Sequence, residues 1–299
     1  MNGLTLKHLR YFDALARQGH FGRAAEDCGI SQPALSVQIR DLEAMLGAAL
    51  VERGARTLRL TALGEAFLDR ARRILVEVDG LAALKRAAEG PLAGPFRLGV
   101  IPTVAPYLLP QMMAVLAERM PALDLAPREA ITPSLVADLV AARLDAAVLA
   151  LPISELALEE MPLFEEEFML VRAQGEADAA VPAPEDLQAM RLLLLEEGHC
   201  FRDQALSFCK IGPAAPKIVM EGSSLSTLVQ MVGAGLGLTL LPQMALPLET
   251  RGAAVSVARF APPAPSRQIG MVWRRSNPLG ERLREVGEIV RQLGRAALD

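Results

Sequence analysis

The chain has 299 residues, 52% of them apolar and 4% aromatic, with 31 Lys+Arg against 35 Asp+Glu for a formal net charge of −4. That length supports two or three domains with proper cores. No apolar run approaches the roughly 18 residues of a membrane span, and Met1 to His8 lacks a charged-then-apolar leader, so a cytoplasmic protein with no membrane partner is expected. In that compartment three cysteines do not make a disulfide scaffold, and any disulfide is expected to be transient and sensory.

The charge is uneven. Residues 1–90 carry 13 Lys+Arg and 11 Asp+Glu, a balance of +2, which leaves −6 for the remainder. A mildly basic N-terminal segment beside an acidic remainder hints at a nucleic-acid contact. Leu6, Leu9, Phe12 and Ala16 recur at helical spacing after Thr5, and Gly19 ends the run. A second short helix spans Arg23 to Cys28, with Gly22 standing at its cap. Ser31 caps a third helix, in which Leu35, Ile39, Leu42 and Leu46 make the apolar face and Pro33, Ser36 and Arg40 the opposite one.

Two helices joined by a tight glycine turn fit a helix-turn-helix. Gln32, Pro33, Ser36 and Arg40 are its candidate DNA-facing residues, small enough for the backbone to enter a major groove. Two β-prone pieces, Leu50 to Arg53 and Thr57 to Leu60, flank Gly54 and read as a hairpin wing. Arg53, Arg56 and Arg59 are its candidate phosphate contacts. Cys28 lies in the turn of this module and is read as packing.

Thr61 then caps a helix that runs without proline to about Glu89. Leu63, Phe67, Ile74, Val78, Leu81 and Leu84 form a continuous stripe that needs a partner helix. Gly90-Pro91 and Gly94-Pro95 break the chain. The expected division is a DNA-binding module over 1–60, a dimerising linker helix over 61–90 and a sensor domain over 91–299. Beyond the break, strands and helices alternate: strands are expected at 96–101, 123–130, 145–151, 168–172, 192–195, 217–221, 237–241, 255–260 and 268–273, with helices opened by Pro106 and Pro133. That order predicts α/β architecture with parallel sheets. Ligands in such folds sit beyond the carboxyl ends of strands, where Thr103, Thr132, Cys200, Ser223 and Ser224 fall. Each hydroxyl taken singly is most simply a helix cap. Gly233-Ala234-Gly235-Leu236-Gly237 follows a helix and precedes a strand, the reverse of a dinucleotide loop. With three histidines in all, neither a metal site nor a cofactor is expected.

The stretch from Glu196 to Cys209 most needs a functional explanation. Leu192 to Leu195 reads as a buried strand, Gly198 permits a sharp turn, and Phe201 to Phe208 has the composition of a short helix. Cys200 thus stands at a helix N-terminus, whose free N–H groups favour a thiolate. His199 and Arg202 would lower its pKa, and Glu196 and Glu197 would raise it. Nine helical steps separate the sulfurs of Cys200 and Cys209 by roughly 13 Å, whereas a disulfide needs Cα atoms about 4.4–6.8 Å apart. If the two thiols pair, the helix between them must come apart. The alternative, equally open on these residues, is that both are small buried hydrophobes.

Ala24-Ala25, Ser31-Gln32-Pro33-Ala34-Leu35-Ser36, Gln38-Ile39, Leu42-Glu43, Leu46-Gly47, Leu50, Arg53 and Thr61 resemble the N-terminal signature of LysR-type transcriptional regulators. Ile101-Pro102-Thr103-Val104, Pro106 to Pro110, Gly198-His199-Cys200, Arg202 to Ala205 and Cys209 resemble the peroxide-sensing members of that family, so that the likeness spans nearly the whole chain. The resemblance implies a winged helix-turn-helix, a linker helix pairing two subunits, and a two-lobed regulatory domain similar to periplasmic binding proteins, with lobe I about 91–162 and 268–299 and lobe II about 163–267. It implies Cys200 as the peroxidatic and Cys209 as the resolving cysteine, and Thr103, Thr132, His199 and Arg267 around the peroxide. It also implies a homotetramer on double-stranded promoter DNA, RNA polymerase as a partner, and a thiol reductant of glutaredoxin or thioredoxin type for reset. Two readings compete: a LysR-type regulator answering a small-molecule metabolite in the interlobe cleft, and a thiol peroxidase, which the 90-residue DNA-binding and pairing unit disfavours.

Overall fold

Helix α1 (Leu6–Gln18) begins where the Thr5 hydroxyl accepts the His8 N–H at 3.4 Å while the His8 ring accepts the Thr5 N–H at 3.2 Å, and it ends at Gly19 in the left-handed region. Helix α2 (Phe21–Asp27) starts two residues earlier than the sequence predicts. Its cap is the His20 ring, whose Nδ1 accepts the N–H groups of Gly22 and Arg23 at 3.0 and 3.4 Å, rather than Gly22. Helix α3 (Gln32–Leu46) is capped by Ser31 and stopped by Gly47 at φ 68°. Leu35, Ile39 and Leu42 are buried against Phe12, Leu15, Ala24 and Leu50, forming one small core. The computed structural model describes residues 3–52, 58–88, 92–183, 186–209 and 218–298, which fall into two units, Met1–Lys85 and Arg86–Asp299.

After α3, Val51 and Leu60 form an antiparallel bridge, and the Glu52 N–H donates to the Arg59 carbonyl at 2.9 Å. The intervening tip, with Arg53 and Arg56, lies outside the described residues. Helix α4 (Ala62–Ala88) follows, with the Thr61 hydroxyl accepting the Gly64 N–H at 3.0 Å. Gly64 passes so close to Leu50 that a Cβ there would stand 2.1 Å from its carbonyl oxygen. Leu68 and Ala71 are buried, whereas Leu63, Ile74 and Leu81 are exposed.

The second unit opens as the alternation predicts, with β1 (Gly94–Val100), α5 (Ala105–Arg119), β2 (Leu123–Glu129), α6 (Thr132–Val140) and β3 (Ala146–Leu151). The three strands are parallel in the order β2–β1–β3. The chain then runs through β4 (Leu158–Ala173), β5 (Leu192–Leu195), α7 (Cys200–Phe208), β6 (Ile218–Gly222), α8 (Leu225–Gly233), β7 (Thr239–Pro242), α9 (Leu246–Glu249), β8 (Val255–Arg259), β9 (Ser266–Arg274) and α10 (Gly280–Ala296).

The expectation of parallel sheets is corrected here: the main sheet is mixed. Strand β9 is antiparallel to both β3 and β4, and the end of β4 is antiparallel to β7 and β8. The reason is connectivity. The chain passes from one half of the unit to the other along the 16-residue β4 and returns along β9, so no helical crossover restores strand direction. The expected strand 168–172 is only the last third of β4. Residues 158–167 pair with β9, with a register shift between Pro162 and Phe164.

Candidate functional site

Gly198 adopts φ +93°, and a Cβ there would meet the Ile131 side chain at 2.8 Å. This turn therefore packs against Ile131, the residue just before Thr132 and α6, across the junction between the halves. His199 is the N-cap of α7 and makes no side-chain capping bond, so Cys200 opens a helix whose N-terminus has no side-chain cap, the Arg202 N–H donating to the His199 carbonyl at 2.9 Å. Cys200, in the first turn, is partly exposed. Cys209 is the C-cap and is fully buried in the core with Phe201, Ala205 and Leu228. Burial pushes its thiol up to about 11, and its carbonyl accepts the Gln188 side-chain N–H at 3.0 Å. The α7 geometry separates the two cysteines by nine helical steps, or roughly 13 Å of rise.

The charges expected beside Cys200 are differently placed. Arg202 turns inward to the Glu221 carboxylate at 2.7 Å and the Leu195 carbonyl at 2.9 Å. Burial holds the His199 imidazole below its ordinary pKa, against weaker upward pulls from Glu196 and Glu129. His199 is thus a neutral hydrogen-bonding group at neutral pH.

Thr103 and Arg267 are in direct contact. The guanidinium donates to the Thr103 hydroxyl at 2.7 Å and to its carbonyl at 3.0 Å, and Nε donates to Glu166 at 2.8 Å. Arg267 and Glu166 side chains are both wholly buried. The second Glu166 oxygen accepts the Met244 N–H at 2.8 Å, so the buried charges are fully tied, as burial demands. Arg267 also lies 5.7 Å from the ring centroid of Phe201, the second residue of α7. Thr103, Arg267 and α7 are therefore one connected assembly.

Neither threonine is a helix cap. Val104 caps α5 and Ile131 caps α6. The Thr132 hydroxyl is sealed from solvent with no hydrogen-bond partner among the described residues. A lost capping role and an open hydrogen-bonding valence suit a small polar guest. Ser224, by contrast, is a plain N-cap, accepting the Thr227 N–H at 3.2 Å.

Sequence reasoning passed over Glu166, Phe201 and a second link between the halves: the Tyr107 hydroxyl donates to Glu249 at 2.6 Å, and Ser226 donates to the other Glu249 oxygen at 2.5 Å. Burial and that bond drive the Tyr107 pKa upward. A signal for Glu166 existed. Within Glu165-Glu166-Glu167, strand alternation turns the middle residue to the opposite face from its neighbours.

In the N-terminal unit, Gln32, Pro33 and Arg40 are exposed and Ser36 half-buried on the solvent side of α3, and Arg59 is exposed next to the bridge. Arg40 folds back to donate to the Ser36 carbonyl at 3.3 Å. Cys28 is partly buried at the end of α2, and burial first, then Asp27, raises its pKa.

Residues 6–65 match the bacterial regulatory helix-turn-helix family of LysR type, and residues 89–295 match the LysR substrate binding domain. A probable hydrogen peroxide-inducible genes activator of Streptomyces viridosporus is 43% identical over 274 residues, covering 90% of this chain and 88% of that protein. The DNA-binding transcriptional dual regulator OxyR of Escherichia coli K12 is 40% identical over 291 residues, covering 96% and 95%. Among solved structures, a cysteine-to-serine mutant of Corynebacterium glutamicum OxyR with H2O2 bound superposes with a TM-score of 0.68 at 36% identity, covering 98% of this chain and 94% of that one. The chain belongs to the LysR family of bacterial transcriptional regulators, in its OxyR group.

Proposed function

We propose that this chain is a hydrogen-peroxide-sensing transcriptional activator, switched by a reversible Cys200–Cys209 disulfide. The observation that carries the reading is the placement of the two sulfurs: one half-open at an N-terminus free of side-chain caps, the other sealed in the core at the far end of the same helix. The Cys200 thiolate attacks one peroxide oxygen and the O–O bond breaks. The distal oxygen leaves as hydroxide and takes a proton to become water, while Cys200 becomes a sulfenic acid. Thr132, Thr103 held by Arg267, and neutral His199 are the groups we assign to orienting the peroxide and stabilising the departing oxygen. Residues 201–208 then unwind, Cys209 attacks the sulfenic sulfur, a second water leaves, and a dithiol reductant later reverses the step. The bound H2O2 of the Corynebacterium relative supports the ligand, and the names of both curated relatives support the output.

The rest of the assembly follows from the same reading. The bridged arms after α3 act as a wing carrying Arg53, Arg56 and Arg59, and Gln32, Pro33, Ser36 and Arg40 of α3 face a major groove of promoter DNA. The division is 1–60, 61–90 and 91–299, and the last part closes like a periplasmic binding protein. The exposed Leu63, Ile74 and Leu81 stripe of α4 pairs subunits toward a cytoplasmic homotetramer that engages RNA polymerase. Mass spectrometry and DNA footprinting before and after peroxide test the proposal. A Cys200–Cys209 link with free Cys28 and a shifted footprint is expected, both lost in Cys200→Ser; a shifted footprint in Cys200→Ser overturns it.

A further inference from the structure

A cavity of about 450 Å3 opens between the end of β4, the segment after it, and residues 190–191 and 235–238. It shares no lining residue with the assembly around Cys200. Leu170 and Arg172, two apart on β4 and so on one face of the strand, stand in its wall with Met190 and Leu238, and Arg191 and Glu176 stand in the lining as well.

Arg172 is the feature that structure alone does not explain. It is 5% exposed. Its terminal nitrogens donate to the Ala177 and Ala180 carbonyls at 2.8 and 3.2 Å, which pins the segment after β4. Those acceptors are neutral. No carboxylate pairs with it among the described residues, and its Nε–H is buried without an acceptor. A buried guanidinium is ordinarily matched by an acid or fully bonded, as Arg267 is by Glu166 in the same unit. Arg191 is exposed in the lining with no ion pair among the described residues, so two cations face one acid, Glu176. The remaining wall is apolar. A volume of this order holds a small organic molecule, and a carboxylate is the acceptor whose charge and planar oxygens match a buried guanidinium that no acid pairs among the described residues.

We propose that this cavity is a second ligand site, taking a small monocarboxylate whose charged end meets Arg172 and whose apolar body packs on Leu170, Met190 and Leu238. The site stands apart from the peroxide chemistry and does not depend on it.

The test is isothermal titration of the reduced full-length protein with a panel of straight-chain monocarboxylates from butyrate to decanoate, together with benzoate and each acid's primary amide. At least one acid is expected to bind saturably at one per chain, with its amide at least tenfold weaker. R172Q and M190W, the latter narrowing the cavity, are each expected to weaken binding at least tenfold, and Cys200→Ser to leave it unchanged. Circular dichroism melting establishes that each variant is folded. If R172Q does not fold, M190W and the acid–amide comparison decide. Absence of saturable binding across the panel, an amide binding as well as its acid, or folded variants binding like the parent chain would each overturn the site.

Discussion

Phe201→Leu tests whether α7 is the element that the disulfide disrupts. The Phe201 ring is 1% exposed, lies edge-on to Phe168 at 4.9 Å and 73°, and carries the Arg267 guanidinium at 5.7 Å. Leucine keeps most of the burial and loses both ring-specific contacts. The aromatic pair contributes about 0.5–1.5 kcal/mol and the desolvated cation–π contact about 0.5–2 kcal/mol. The helical, reduced form should therefore lose about 1–3.5 kcal/mol. On the proposed switch, the oxidised form has already given up these contacts and loses nothing. At about 30 mV per 1.4 kcal/mol, the reduction potential of the Cys200–Cys209 pair should fall by roughly 20–75 mV. The assay equilibrates the protein in dithiol redox buffers, alkylates the remaining thiols and reads the mass shift. Urea unfolding of both redox forms supplies a second readout. An unchanged or higher potential, with both forms destabilised equally, would mean that Phe201 keeps its seat after oxidation and that α7 does not unwind.

Thr132→Val removes a sealed, unpartnered hydroxyl, so the melting temperature should hold or rise slightly, while Cys200 oxidation measured by stopped flow slows by about a hundredfold; a parent-like rate would remove Thr132 from the peroxide site. Glu166→Gln leaves Arg267 buried beside a neutral partner and should cost about 3–5 kcal/mol in urea unfolding, and a loss below about 1 kcal/mol would contradict the buried pairing. Because burial raises Cys209 above its ordinary 9.0 to about 11, the folded state binds the extra proton: the stability it contributes is whole below pH 9 and is lost as pH climbs through 11. Reduced protein should therefore unfold more readily across that window, and Cys209→Ala should flatten the slope. In DNA binding, Arg40→Ala should relax sequence preference, whereas Arg59→Ala should weaken all sequences alike and lower the salt slope by about one; indistinguishable behaviour in a salt-dependent gel-shift series would argue against α3 as the reading helix.

Local patterns were readable where one physical rule acts alone. Ser31, Gly47 and Thr61 cap or stop helices by their own chemistry, and Leu192 to Leu195 is apolar on both faces because both faces are buried. The junction residues Thr103 and Thr132 and the helix after Gly198 were legible for the same reason, since strand-to-helix handovers follow from turn and periodicity signals. Strand β4 was not, because its first half alternates inward Leu158, Leu163 and Phe164 with a run of glutamates, and a register shift breaks the period. The cap of α2 was missed because His20 caps with a ring nitrogen, a role usually taken by oxygen. Helix α10 stands outside the expected elements although Leu283, Val286, Ile289 and Val290 recur on its buried face. The partners of Arg267 were hidden for a deeper reason. Thr103 and Glu166 are 164 and 101 residues away in sequence, and only the crossing of β4 and β9 brings them to one point.

On the proposed switch, that crossing also carries a change at sulfur. Arg267 touches three things at once: Phe201 on α7, Thr103 between β1 and α5, and Glu166 midway along β4. Glu166 in turn holds the Met244 N–H just after β7. On the proposed switch, α7 unwinds and Phe201 leaves Arg267, so that the guanidinium keeps its bonds but loses the ring that covers it. Water then reaches a pair whose strength rested on exclusion from solvent, and the clasp weakens where both strands pass between the halves. Tyr107 and Glu249 form another clasp and touch no residue of α7 in their hydrogen bonds. On the proposed switch, loosening the Arg267 clasp while the Tyr107 bond and the Gln243 side-chain N–H to the Leu298 carbonyl at 2.8 Å hold would turn the halves rather than separate them. Tyr107→Phe should consequently leave Cys200 oxidation at its parent rate yet blunt the footprint difference between reduced and oxidised protein. A full footprint shift in that variant would assign the pivot elsewhere.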